Sequence, residues 1–141
     1  MKMIKIAKKG FNVEIYIDRD YNVDININNK SVTYCDGETI RENADYDGSA
    51  PQEWIEAFVI NPLEMAETLE QVLDEIGLPY VIGDTIYDLI DEYTASDAYS
   101  EGDVALLRAM SPERLQEVFR CTEGIAFIKT KNQYALIWAE N

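Results

Sequence analysis

Apolar and polar positions alternate over the first part of the chain. Val13, Ile15 and Ile17 are separated by Glu14 and Tyr16, while Tyr21, Val23, Ile25 and Ile27 are separated by Asn22, Asp24 and Asn26. A period of two is that of a strand with one buried face. Met3–Ile6 and Ser31–Cys35 continue the pattern loosely, with breaks at Gly10, Arg19-Asp20 and Asn29-Lys30. Residues 1–35 therefore predict an antiparallel meander. Residues 36–50 crowd Asp36-Gly37, Asn43, Asp45 and Asp47-Gly48 together and predict an exposed acidic loop.

The period then becomes helical. Trp54, Ile55, Phe58 and Val59 form an apolar stripe after Ala50-Pro51. Asn61-Pro62 restarts a helix that runs to Ile76, turning Leu63, Ala66, Leu69, Val72, Leu73 and Ile76 inward, and Gly77 stops it. Leu78–Gly83 reads as a short apolar link. Asp84 or Thr85 caps a helix with Ile86, Leu89, Ile90 and Tyr93 inside, and another runs from about Glu101 to Ala109. Ser111-Pro112-Glu113 opens one that buries Leu115, Val118 and Phe119. Gly124–Lys129 and Tyr134–Ala139 predict a hairpin that is apolar on both faces. The expected architecture is α+β, in a single domain over residues 1–141. Its antiparallel sheet combines the N-terminal meander with the hairpin of residues 124–139. A block of four to five helices within residues 51–121 packs on that sheet.

Charge changes this picture more than length does. The 141 residues are 47% hydrophobic and 11% aromatic, enough for a folded core despite a net charge of −15. From Asp36 to Asp103 there are nineteen acidic residues and one base, Arg41, so this middle stretch holds more than the whole net charge. Residues 1–9 carry Lys2, Lys5, Lys8 and Lys9, and residues 104–141 are nearly balanced. Such asymmetry speaks to partners rather than to fold. No apolar run is long enough to span a bilayer, and Met1–Gly10 lacks the apolar core of a secretory signal. Cys35 and Cys121, widely separated, read as reduced thiols, and the expected location is cytoplasmic. The absence of His removes the usual zinc sites and every His-based triad.

The acids fall in rows. On the helix expected to end at Ile76, Glu64, Glu67, Glu70 and Asp74 recur at spacings of three, three and four, opposite the leucines. Asp84, Asp88 and Asp91 do the same in the next, with Glu92 beside them. Neighbours so spaced lie roughly 4.5–6 Å apart along a helix axis, the order of phosphate spacing on a nucleic-acid strand. A single such row reads equally as a solvated outer face, but that face ordinarily interleaves Lys and Arg, and two rows with an acidic loop that lack them point to a binding surface. Asp45 and Asp47 in the loop, with Tyr46 and Tyr99 in polar surroundings, complete the candidate partner-binding set. No residue is marked as catalytic, and no cofactor is expected. Asp18, Asp20, Asn22 and Asp24 imitate the opening of a calcium loop. Val23 stands where that loop needs Gly, however, and Asn29 where it needs Glu, so no metal site is expected there. Asp88, Asp91 and Glu92 could hold magnesium, but no Lys, Arg or Gly-rich loop lies nearby to grip a phosphate.

In its acidic middle and in the Phe127–Tyr134 hairpin, the chain resembles the anti-restriction and anti-CRISPR inhibitor proteins of phages and mobile elements. The likeness is one of size, acidity and style, so it implies an overall activity and no role for single residues. It implies a non-enzymatic inhibitor that mimics nucleic acid. Its partner would be a basic nucleic-acid-binding protein such as a nuclease or Cas effector, with no direct contact to nucleic acid or membrane. The alternatives are an immunity protein against a basic toxin, or an enzyme that uses paired carboxylates with a divalent metal.

Overall fold

The structure, a computed structural model, describes residues 2–96 and 98–138. The fold is α+β. The chain divides into two compact units, Met1–Gly77 and Leu78–Asn141, so the helical block expected over residues 51–121 is parted at Gly77. Each unit has its own antiparallel sheet, and the N-terminal meander and the C-terminal hairpin are not strands of one sheet.

In the first unit, β1 (Lys2–Lys8), β2 (Phe11–Ile17), β3 (Val23–Ile27) and β4 (Lys30–Cys35) pair in chain order. Alternation delivers Phe11, Val13, Ile15 and Ile17, with Val23, Ile25 and Ile27, to the core. Asn28 and Asn29, both at positive φ, make the two-residue turn that brings Ile27 opposite Lys30. The β2–β3 loop is organised by Asp18, whose carboxylate accepts from the backbone N–H of Asp20 and Asn22 and from the Asn22 side chain. Those bonds, the Asn22 side chain foremost, hold its carboxyl below the usual range. The carboxylate of Asp18 thus serves its own loop, while Asp24 stands on β3.

The expected loop over residues 36–50 is instead mostly a helix, α1 (Gly37–Tyr46). Asp36 caps it, accepting from the Thr39 N–H at 2.9 Å, and Ile40 and Ala44, one turn apart, are buried. The glycine that looked like a turn former meets a packing demand. A Cβ on Gly37 would collide with the Asp20 carbonyl oxygen. The Gly37 N–H donates to Asn22 Oδ1 at 2.6 Å, and Arg41 donates to the Asp20 carbonyl at 2.7 Å. The true turn follows at Gly48, at positive φ.

A helical run then passes through α2 (Pro51–Ile55), a π turn at Glu56–Ile60 and α3 (Asn61–Met65). Pro62 has no N–H, and its ring crowds the carbonyl four residues back, so the wide turn accommodates it without ending the helix. The turn also shifts the helical phase. Ile55 and Ile60 are buried, and Phe58, expected inside, is 59% exposed. The helix expected to run unbroken to Ile76 is interrupted: Ala66 is extended, and Thr68 starts α4 (Leu69–Ile76) in a reciprocal box with Gln71. Gly77, left-handed, ends α4 as expected.

In the second unit, Tyr80–Gly83, expected as a link, is the edge strand β5 of a sheet ordered β5-β7-β6, with β6 at Ile125–Lys129 and β7 at Tyr134–Trp138. Its run of Tyr, Val and Ile suits a strand although it does not alternate. Ala139, placed in the hairpin by the sequence, lies outside the described residues. A 3₁₀ turn (Ile86–Leu89) leads into α5 (Ile90–Tyr93), followed by α6 (Glu101–Arg108) and α7 (Pro112–Cys121). Leu89, Ile90, Leu107, Leu115 and Phe119 pack with Phe127 and Leu136 into this unit's core. Among the described residues, no helix is long and apolar enough to cross a membrane.

Candidate partner-binding surface

The first unit presents most of the candidate carboxylates, though not in the rows expected. Because of the break after Met65, Glu64 ends up on α3, Glu67 in the connection, and Glu70 and Asp74 on α4, so these four do not share one helix face. The helix that does carry a row is α1. Glu38, Glu42 and Asp45 follow at spacings of four and three, exposed on the side away from Ile40 and Ala44. Tyr46, next in line, is 92% exposed. Glu38 and Glu42 are not among the sequence-predicted candidates, because the turn formers around them predict a loop. Asp36 as cap with Ile40 and Ala44 four apart was the signal available.

What these carboxylates lack is a counter-charge. Among the described residues, none of Glu38, Glu42, Asp45, Glu53, Glu56, Glu64, Glu67 and Glu70 takes part in an ion pair. Of the bases at these helices, Lys2 and Arg19 line a cavity with Glu56, and Arg41 and Lys8 bond to the backbone. Arg41 donates to the Asp20 carbonyl, and Lys8 donates to the Glu64 carbonyl at 2.7 Å, at the end of α3. The last turns of α1 and α4 contain Asp45 and Asp74 with Glu75, respectively, and no base. Acids there oppose the helix dipole, and like charges one turn apart cost about 0.2–0.5 kcal/mol each. Asp47 is used differently. It accepts from the Trp54 indole N–H at 3.0 Å and so pins that ring, which also lies 5.1 Å from Phe58.

The second expected row is put largely to structural use. Asp84 and Glu92 are exposed, but the Asp88 carboxylate accepts from the Thr85 N–H at 3.0 Å, and Asp91 is paired with Arg108. Asp103 likewise accepts from the Ser100 N–H at 2.9 Å. Tyr99, expected at an interface, is half-buried with its ring 5.4 Å from that of Tyr93. Hydrogen bonding to Tyr93 first, then burial, raises its hydroxyl above the ordinary value.

Besides Met3 and Leu106, two exposed apolar side chains stand close together in the chain, Phe58 and Met65, the latter 80% exposed. Both lie on the helical run of residues 51–65, among Glu53, Glu56 and Glu64. Beside Met65 is a groove of about 400 Å³, whose other lining residues are Ala57, Asn61, Pro62, Ala66, Gln71 and Glu75. Among the described residues, no three or more His, Cys, Asp or Glu side chains are grouped so as to hold a metal ion. No family model matches this chain, nor does any curated protein or solved structure.

Proposed function

We propose that the helical surface of the first unit, centred on Glu38, Glu42 and Asp45 of α1, binds the basic nucleic-acid groove of a protein partner, of the kind a nuclease or CRISPR effector offers. The chain acts as an inhibitor by standing in for nucleic acid. The observation that supports this is the set of exposed carboxylates that make no ion pair among the described residues, in a unit whose Arg41 and Lys8 bond to backbone carbonyls. A partner rich in Lys and Arg relieves the repulsion within the row, and opposite potentials speed the encounter. Of the row expected in the second unit, Asp84 and Glu92 are left for the same role. Asp88 and Asp91 are ranked below them, because one serves a helix start and the other is already paired.

The test immobilises the protein and measures capture of purified basic nucleic-acid-binding proteins at low and high salt. The variant Glu38→Lys/Glu42→Lys/Asp45→Lys should weaken capture by on the order of tenfold or more, and salt should weaken capture by the wild type similarly. Capture that ignores both the triple reversal and salt would sink the proposal. An immunity protein against a basic toxin would use the same surface. The partner that co-purifies from cells, an effector nuclease or a toxin, separates the two.

A further inference from the structure

We infer that the groove between α3 and α4 receives an apolar side chain that the protein partner carries between basic residues. The inference rests on the proposed function, and it adds to that reading the part of the surface that supplies specificity. A row of carboxylates attracts any cation, and such attraction sets on-rates more than it selects partners. Selection needs shape. The first unit supplies shape on the helical run of residues 51–65, where the π turn pushes Phe58 outward and Met65 stands 80% exposed at the edge of the groove. Its lining includes the small residues Ala57, Pro62 and Ala66, and a depression of about 400 Å³ is left between them and the longer side chains of Asn61, Met65, Gln71 and Glu75. Met is unbranched and polarisable, and it moulds itself to differently shaped apolar partners.

Charge decides what kind of molecule brings the apolar group. Glu75 lines the groove, and Glu64 and Glu67 flank Met65 and Ala66 in the chain. Glu64, Glu67 and Glu75 take part in no ion pair among the described residues. A second copy of this chain, at net −15, would bring like charge to the same place, and an anionic lipid surface would do the same. A protein segment with Leu, Ile or Phe between Lys or Arg residues satisfies both the carboxylates and the apolar part of the lining. It follows the general mode in which an apolar anchor fixes register and the charges around it exclude wrong partners.

Two synthetic peptides of equal length and charge test this. One carries leucines between its lysines; in the other every leucine is replaced by serine. Fluorescence anisotropy against the full-length protein should give about tenfold tighter binding for the leucine peptide. Ala57→Trp, which fills the groove, and Met65→Ser, at a position exposed enough to leave folding intact, should each erase most of that difference. Neither should alter binding of the serine peptide. Equal affinity for the two peptides, or a preference that survives both substitutions, would overturn the inference while the acidic surface stands. If Glu38→Lys/Glu42→Lys/Asp45→Lys leaves the serine peptide bound as tightly as before, the failure lies instead with the proposed function.

Discussion

The two units differ in the charges they place at the ends of their helices. Both place carboxylates in the first turns of their helices, where the dipole favours them, so that placement does not distinguish them. The last turns do. In the second unit α6 and α7 end with Arg108 and Arg120, whereas α1 and α4 of the first end with acids and no base. Arginines of the second unit are also occupied by its own groups: Arg108 pairs with Asp91, Arg114 with Glu117, and Arg120 lies over the Phe127 ring. Its Asp88 and Asp103 hold helix starts. Arg41 of the first unit bonds to a backbone carbonyl, and Glu38, Glu42 and Asp45 have no ion pair among the described residues. Composition alone reports one acidic stretch. The structure separates acids that maintain the fold from acids that add repulsion to it, and the second kind is the better candidate for a binding surface.

The sharpest way to break the comparison is to loosen α1, which displays the row. Gly37→Ala introduces a Cβ where the Asp20 carbonyl oxygen already sits, and it displaces the helix start that Asn22 holds. It should destabilise the first unit by about 1–3 kcal/mol, read by urea unfolding followed by circular dichroism. Capture of basic proteins should fall with it at a urea concentration where the wild type stays folded. Destabilisation without loss of capture would mean that the row on α1 is not the binding surface.

That α1 exists at all was hidden by its composition. Asp36, Gly37, Asn43 and Asp45 are turn formers, yet each has another use here: Asp36 as cap, Gly37 as point of closest approach, and Asn43 and Asp45 on the solvent side. Local preference was overruled by two buried residues, Ile40 and Ala44, and by a docking site on a loop fifteen residues upstream. The strands of the first unit and the starts at Ser111 and Pro51 were legible, because strict alternation and caps are local signals. The break after Met65 was not, since the apolar spacing of Leu63, Ala66 and Leu69 fits a continuous helix equally well. Phe58 was misplaced for a related reason. A π turn changes the phase of everything beyond it, and only tertiary packing decides that it forms.

A smaller effect sharpens the other side of the comparison. If the acids of the second unit serve its helices, Asp88→Ala and Asp103→Ala should each cost about 1 kcal/mol and leave capture of basic proteins unchanged. For a unit of this size that corresponds to a fall of about 4–8 °C in Tm, and amide hydrogen exchange should locate the loss at the starts of the affected helices. Glu42→Ala should do the reverse, leaving Tm level or slightly higher while weakening capture. In the first unit Glu53, which accepts from the Ala50 N–H, and Asp36 behave like these caps, and for Asp36 the effect depends on pH. Bonds from the Thr39 backbone lower its carboxyl below the ordinary value, so its contribution is complete at neutral pH and disappears as the pH falls through the lowered value. Asp36→Asn keeps a capping oxygen, so α1 should survive acidification further in that variant than in the wild type.

The smallest expected change concerns Arg108. Its pair with Asp91 is exposed, the two side chains retaining 49% and 79% of their accessible surface, so Arg108→Ala should move stability by less than about 1 kcal/mol. At 1 M salt, where the screening length is about 3 Å, even that difference should vanish. The informative reading is binding. If neutralisation is what separates the two units, removing Arg108 frees the Asp91 carboxylate beside exposed Glu92 and should give the second unit a weak, salt-sensitive hold on basic proteins. That gain should be additive with the loss caused by Glu38→Lys/Glu42→Lys/Asp45→Lys, because the two changes act in different units. If Arg108→Ala instead abolishes capture, the second unit takes part directly, and the division of labour drawn between the units fails.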